Sequence, residues 1–135
     1  MIRQVNPRMT ISEHAEQSAL FEWVALMASR HEAFESIFAI PNGGYRHKPT
    51  AMMLQREGVR AGVPDVFLAY PSRGKHGLFV EMKRADGSAS DVRQTQWEWL
   101  ERLEKNGYQT VVCYGEREAR QAICDYLGIA DAVID

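Results

Sequence analysis

The sequence predicts an α/β fold in which a mixed central sheet is flanked by helices. Helix and strand patterns alternate along the chain, which is typical of this class. A short loop over residues 71–75 joins two strand patterns and predicts a β-hairpin. The composition is that of a globular domain, with 45% hydrophobic and 25% charged residues in a chain of 135. We therefore expect a single domain over residues 1–135 with its own core.

The first half of the chain predicts two helices and one strand. Residues 12–29 place apolar side chains at helical spacing, and Ser12 is suited to cap the start of this helix. Residues 36–40 are a short apolar run ended by turn-forming residues, as expected for a strand. A short helix is predicted over residues 50–57 and is closed by Gly58.

The second half begins with the predicted hairpin and continues with two helices and a strand. Ser90 is expected to cap a long helix that ends at an Asn-Gly pair. The predicted elements are strands over 65–70 and 76–83, a helix over 90–105, a strand over 108–114 and a helix over 116–127.

Charge is divided unevenly along the chain, although the net charge is only −2. Residues 44–84 carry eight basic and three acidic groups, giving +5, whereas residues 85–135 carry five basic and ten acidic groups, giving −5. The central segment is therefore a basic region that can meet a phosphate backbone, although an ordinary solvated surface also fits this pattern.

Several classes of protein are disfavoured by the same sequence. No apolar run approaches the ~18 residues of a membrane span, and no Walker or Rossmann motif indicates a nucleotide cofactor. Two cysteines in apolar segments indicate reduced core residues. Trp23 and Trp99 are also expected in the core. These features lead us to expect a cytoplasmic protein.

The predicted hairpin brings acidic and basic side chains to one place. Side chains two apart in a strand share a face, so Glu81 and Lys83 lie roughly 6.6 Å apart at the backbone on the same side. If Tyr70 pairs with His76, the antiparallel register sets Asp65 opposite Glu81. The two carboxylates would then be close enough to bind one hard cation.

This combination has a chemical interpretation and a structural one. Paired carboxylates suit Mg²⁺ or Mn²⁺, which can activate water and neutralise charge on a phosphate, and a nearby lysine can stabilise the transition state. A Pro-Asp pair is also common in turns, and a Glu-x-Lys strand often forms an exposed ion pair. Residue chemistry alone leaves both interpretations open.

The joint spacing of these motifs resembles a known nuclease family. The segments Gly62-Val63-Pro64-Asp65-Val66-Phe67-Leu68 and Leu78-Phe79-Val80-Glu81-Met82-Lys83 are similar to the PD-(D/E)xK signature. More narrowly, the chain resembles the small standalone form of the virus-type replication-repair nuclease (VRR-NUC) domain. The resemblance runs from about residue 12 to residue 127. Further similar pieces are Glu13-His14 with Gln17, Ile40-Pro41-Asn42-Gly43-Gly44 with Arg46, Gly58 with Ala61-Gly62, and Trp99-Leu100 with Gly107-Tyr108.

The resemblance implies a restriction-endonuclease-like core in which the hairpin is catalytic. Asp65, Glu81 and the Met82 carbonyl would bind Mg²⁺ or Mn²⁺, and Lys83 would be the catalytic lysine. The first helix of such nucleases contributes a glutamate, for which Glu13 and Glu16 both qualify. The family pattern favours Glu13.

A glutamine from the helix after the catalytic strand also belongs to this pattern. Counting back from the Gly-Tyr pair after that helix favours Gln96 over Gln94. Gln96 lies one turn before Leu100, on the side of the helix that is expected to face the core.

The implied activity is metal-dependent, structure-selective cleavage of DNA in a bacterial or phage-infected cell. Small standalone members of the family resemble junction resolvases, so we expect a homodimer that acts on branched DNA, with the four-way junction as substrate. The alternative is a DNA-binding module that keeps the fold without catalysis. The DNA contacts expected from the basic region are Arg46, Arg60, Lys75 and Arg84.

Overall fold

The fold is built on a four-stranded mixed sheet. The computed structural model describes residues 11–41 and 48–133. The strands are β1 (Ile37–Ala39), β2 (Val66–Leu68), β3 (Leu78–Lys83) and β4 (Gln109–Tyr114), in the spatial order β1-β2-β3-β4. β1 and β3 each pair antiparallel with β2, and β4 pairs parallel with β3. β3 therefore has a neighbour on both sides, which fixes its side chains firmly.

Four α-helices accompany the sheet in the described part of the chain. They are α1 (Glu13–Met27), α2 (Lys48–Arg56), α3 (Gln94–Lys105) and α4 (Glu116–Leu127). Two short 3-10 helices span Glu32–Glu35 and Ala89–Asp91. The α/β class and the mixed sheet flanked by helices are confirmed. The order and type of the predicted elements are confirmed as well.

The hydrophobic core lies between one face of the sheet and helices α1 and α4. Alternate strand residues enter this core, among them Val66, Val80 and Met82, and all three are buried. Because strand side chains alternate, residues 79, 81 and 83 of β3 point to the opposite face. The second face is the one on which charged residues can be held.

The hairpin register agrees with the sequence-based prediction. Val66 pairs with Val80 and Leu68 with Leu78. This is the register that follows from pairing Tyr70 with His76. The strands are shorter than predicted, because the chain leaves the ladder after residue 68 and turns back through an isolated bridge between Ser72 and Lys75.

The predicted N-cap of the long helix is wrong. Ser90 lies inside the 3-10 helix, whose N-cap is Ser88, and α3 begins only at Gln94. The Asp91 carboxylate accepts a hydrogen bond from the Ser88 N–H at 2.7 Å, and this closes a single turn. Val92 is then extended, with φ −89° and ψ 117°, which separates the two helices.

The loop before β2 packs tightly against the start of α3. Gly62 has φ +88°, and a Cβ at this position would lie 2.9 Å from the Thr95 carbonyl oxygen. Only glycine tolerates both the left-handed backbone and this close approach. The contact fixes α3 relative to the segment that leads into Asp65.

Two further features concern the cysteines and the length of the helices. Cys113 and Cys124 are buried free thiols, as expected. No helix within residues 11–41 and 48–133 combines the length and apolar character that crossing a membrane requires.

Candidate functional site

The centre of the second sheet face is the buried side chain of Glu81. This residue is only 1% exposed. Its Oε2 accepts a hydrogen bond from Gln96 Nε2 at 3.1 Å and lies 3.8 Å from Lys83 Nζ. Its Oε1 is buried and has no hydrogen-bond partner among the described residues. One carboxylate oxygen is therefore held in place while the other remains available to a ligand.

Asp65 is fixed to β3 on both sides of Glu81. The Asp65 N–H donates to the Val80 carbonyl at 3.0 Å. The Asp65 Oδ2 accepts a hydrogen bond from the Met82 N–H at 2.7 Å. Because these two bonds reach the residues before and after Glu81, the two acidic side chains are neighbours, as the predicted register requires.

The proximity of these groups changes the proton affinity of Glu81. Burial is the main cause that raises the pKa of Glu81 to about 9, and the charge and hydrogen bonding of Asp65 add to it. Lys83 acts in the opposite direction, and Glu13 contributes a small further increase. At neutral pH the protein without metal therefore holds a proton on this carboxyl group.

Lys83 and Gln96 are both buried beside Glu81. Lys83 is only 6% exposed. Lysine is rarely buried to this extent without a charged partner, and here the partner is Glu81. Gln96 also accepts a hydrogen bond from the Arg93 N–H at 2.8 Å, so its side chain joins the start of α3 to Glu81. Gln94, the competing glutamine, is exposed and donates to Glu98.

The two glutamates of α1 have different surroundings. Glu16 is buried, and its Oε1 accepts a hydrogen bond from the Glu116 N–H at 2.9 Å, which caps the first turn of α4. Glu13 is exposed and lines a surface cavity of about 260 Å³ together with Arg84, Asp86, Gly87 and Asp91. The capping role of Glu16 cannot be predicted from the sequence, because its partner lies one hundred residues away along the chain.

The described acidic residues do not form a complete metal cluster. Within residues 11–41 and 48–133, no three side chains of His, Cys, Asp or Glu come together in a group that can hold a metal ion. Glu13 is near enough to influence the pKa of Glu81, but it is not brought into contact with Asp65 and Glu81 as a third ligand.

The predicted DNA contacts are placed at different distances from the carboxylates. Arg84 follows Lys83 at the end of β3 and pairs with Asp86 at 3.1 Å. Lys75 lies beyond the other end of β3 and pairs with Glu104 at 3.8 Å. Arg60 lies 5.6 Å from the centre of the Trp99 ring. Arg46 is outside the described residues.

Trp99 differs from its predicted place in the core. It is half-buried, and its Nε1 donates to the Ala61 carbonyl at 3.1 Å. Arg102 also approaches its ring, with 4.7 Å between Cζ and the ring centre. Trp23 is buried in the core, as predicted.

Comparisons with known proteins agree on one family. The family model described as "VRR-NUC domain" matches residues 3–117 of this chain. A solved structure titled "VRR_NUC domain protein" is similar, with a TM-score of 0.71 and 27% sequence identity, and the alignment covers 90% of this chain and 93% of that chain. The comparison with curated proteins returns no match.

The raised pKa of Glu81 predicts a pH-dependent stability. The ordinary pKa of a glutamate is 4.5, and that of Glu81 in the folded protein is about 9, so between these values folding takes up a proton. The contribution of Glu81 to the free energy of unfolding is therefore fully present below pH 4.5 and is lost as the pH rises towards 9. Glu81→Gln removes this titration.

Urea unfolding in chelator at pH 5, 7 and 9 measures the effect. Relative to wild type, we expect Glu81→Gln to gain roughly 5 kcal/mol of unfolding free energy between pH 5 and pH 9. Glu22→Gln, on the exposed surface of α1, is the control and should show no such trend. A stability difference for Glu81→Gln that does not vary with pH would contradict the assignment.

Proposed function

Because the chain belongs to the VRR-NUC family of nucleases, we propose that it is a metal-dependent DNA endonuclease that hydrolyses phosphodiester bonds. The family model and the structural match together cover most of the chain. DNA as the substrate follows from the family. The metal, the catalytic residues and the preferred DNA structure are parts of the proposal.

The observation that carries this proposal is the buried Oε1 of Glu81, which has no hydrogen-bond partner among the described residues. Leaving a buried polar atom unpaired is costly, and natural proteins do so mainly where a ligand, ion or water completes the bonding. The carboxylate of Asp65 is close enough to the Glu81 carboxyl group to raise its pKa. A divalent cation is the ligand that two carboxylates suit best.

The donor set fits Mg²⁺ or Mn²⁺, both of which prefer oxygen ligands. Asp65 and Glu81 would supply carboxylate oxygens. The N–H and carbonyl of one strand residue point to the same side, so the bond from Met82 N–H to Asp65 supports Met82 as a carbonyl ligand. Glu13 is proposed as an outer ligand, because Glu16 already caps α4. A bound cation would acidify water and neutralise charge on the phosphate.

Each of the surrounding residues has a defined task in the proposed reaction. Asp65, anchored to the Met82 N–H, keeps its carboxylate directed at the site. Gln96 holds Oε2 of Glu81, which leaves Oε1 for the cation. Lys83 places a positive charge beside Glu81, where it can stabilise the negative charge that develops on the phosphate oxygens. Burial of Glu81 and Lys83 limits water and strengthens these interactions.

The proposed DNA contacts are the basic residues of the central segment. Arg84 is supported best, since it directly follows Lys83. Arg60 lies in the loop that leads to Asp65. Lys75 is separated from Glu81 by half of β3, so it would contact DNA further from the cleaved bond. Arg46 stays a prediction from the sequence.

Removing either carboxylate tests the proposed chemistry. We expect Asp65→Asn and Glu81→Gln each to lower the rate of DNA cleavage in Mg²⁺ or Mn²⁺ by about 10³-fold, because the cation and its ligands are lost. DNA affinity measured in chelator should stay equal or become tighter, since a negative charge facing phosphate is removed. Wild type in chelator should not cleave, and Glu22→Gln should cleave like wild type.

These measurements also decide between catalysis and the alternative, a non-catalytic DNA-binding module. Wild-type protein that binds DNA but does not cleave it with either cation would favour the binding module. Full cleavage by Asp65→Asn or Glu81→Gln would instead refute the residue assignment while leaving the nuclease activity intact.

We further propose that the working unit is a homodimer that acts on branched DNA, with the four-way junction as substrate. One site of this kind cuts one strand, and a symmetric pair supplies the two matched cuts that a junction requires. β1 lies at the edge of the described sheet, and its Phe38 is 50% exposed. An exposed apolar edge strand is a natural place for a second copy to pair.

Light scattering at micromolar concentration tests the dimer. We expect a mass of two chains for wild type, and a single chain for Phe38→Glu, because a buried charge would oppose pairing at this edge. Leu26→Glu, at an apolar position of α1 that is 58% exposed, is the matched control and should remain dimeric. A wild-type monomer with and without DNA would contradict the dimer, and equal cutting of plain duplex and junction would contradict the structural preference.

A further inference from the structure

Two arginines gather at one tryptophan on α3. The ring of Trp99 has Arg102 Cζ 4.7 Å and Arg60 Cζ 5.6 Å from its centre. The indole N–H of Trp99 is bonded to the Ala61 carbonyl, so the ring cannot turn freely. Cation–π attraction therefore holds two guanidinium groups within about 10 Å of each other.

Neither guanidinium group takes part in an ion pair within residues 11–41 and 48–133. Both arginines are exposed, and Arg102 lines a surface cavity together with Glu98, Glu101 and Lys105. Other exposed basic residues nearby are paired: Lys105 with Glu101 at 3.6 Å, and Lys75 with Glu104 at 3.8 Å. The N–H groups of the two arginines thus remain available, and a guanidinium fork matches the geometry of phosphate oxygens.

This pair of arginines belongs to the helix and the loop that also carry partners of the two carboxylates. Gln96, which bonds Glu81, precedes Trp99 by three residues and Arg102 by six, or roughly 4.5 Å and 9 Å along the helix axis. Arg60 belongs to the loop that leads into Asp65, and Gly62 of this loop is in close contact with Thr95 of α3. The loop and the helix are therefore fixed relative to the carboxylates.

We propose that Arg60, Trp99 and Arg102 form a binding site for the phosphodiester backbone of the DNA substrate. The arginines contact the phosphates, and Trp99 keeps them aligned. This inference rests on the proposed DNA endonuclease function and extends it to Trp99 and Arg102.

DNA binding in chelator tests this site without involving cleavage. With a labelled duplex, we expect Arg102→Ala to weaken affinity about 5–10-fold and to reduce the slope of log affinity against log salt by about one, since one phosphate contact is lost. Lys105→Ala is the matched control, because it removes the same charge three residues further along α3, where the lysine is paired with Glu101. It should change affinity less than 2-fold. Arg102→Lys should retain the salt slope.

A second variant separates phosphate binding from mere packing. Trp99→Phe keeps a ring beside the arginines but loses the hydrogen bond to the Ala61 carbonyl, so its DNA affinity should lie between that of wild type and that of Trp99→Leu. Trp99→Leu should resemble Arg102→Ala while circular dichroism still shows a folded protein. If Arg102→Ala lowers the melting temperature but binds DNA with the same affinity as Lys105→Ala, the inference is wrong. Wild-type protein that neither binds nor cuts DNA would overturn the proposed function as well.

Discussion

The proposed site depends on one buried carboxylate group, of which only one oxygen has a hydrogen-bond partner among the described residues. Glu81 lies in β3, one of the two interior strands of the sheet, with one oxygen bonded to Gln96 and the other without a partner in the described structure. An isolated buried charge is strongly unfavourable, and the raised pKa of Glu81 expresses this cost. A bound cation would remove the cost and explain why Asp65, Lys83 and Gln96 surround this position.

The fold makes this arrangement rigid through backbone geometry. β3 is paired on both sides, so the side chains at 81 and 83 have no freedom to leave the second face. Asp65 is tied to residues 80 and 82, and the contact between Gly62 and Thr95 fixes α3. The same contact connects the carboxylates to the arginine pair at Trp99. The same elements thus support both the proposed chemistry and the proposed DNA contacts.

Much of this arrangement is predictable from the sequence, because it depends on local rules. Strand alternation places Glu81 with Lys83, and loop length sets the hairpin register that brings Asp65 to them. Long-range contacts are less predictable. The capping of α4 by Glu16, which leaves Glu13 as the open candidate, depends on a partner at position 116. Arg102 lies in the acidic segment of residues 85–135. The charge distribution therefore does not indicate that Arg102 and Arg60 lie near the same Trp99 ring. Ser90 fails as a cap because Asp91 closes a shorter turn first.

The most direct test of the central claim is calorimetric titration of the protein with Mn²⁺ at pH 7 in two buffers of different ionisation enthalpy. If the cation binds at Glu81, whose pKa of about 9 keeps it protonated in the free protein, binding should release about one proton per site. Glu81→Gln should abolish both the binding and the proton release. Mn²⁺ binding that is unchanged in Glu81→Gln, or that releases no proton in wild type, would contradict the account.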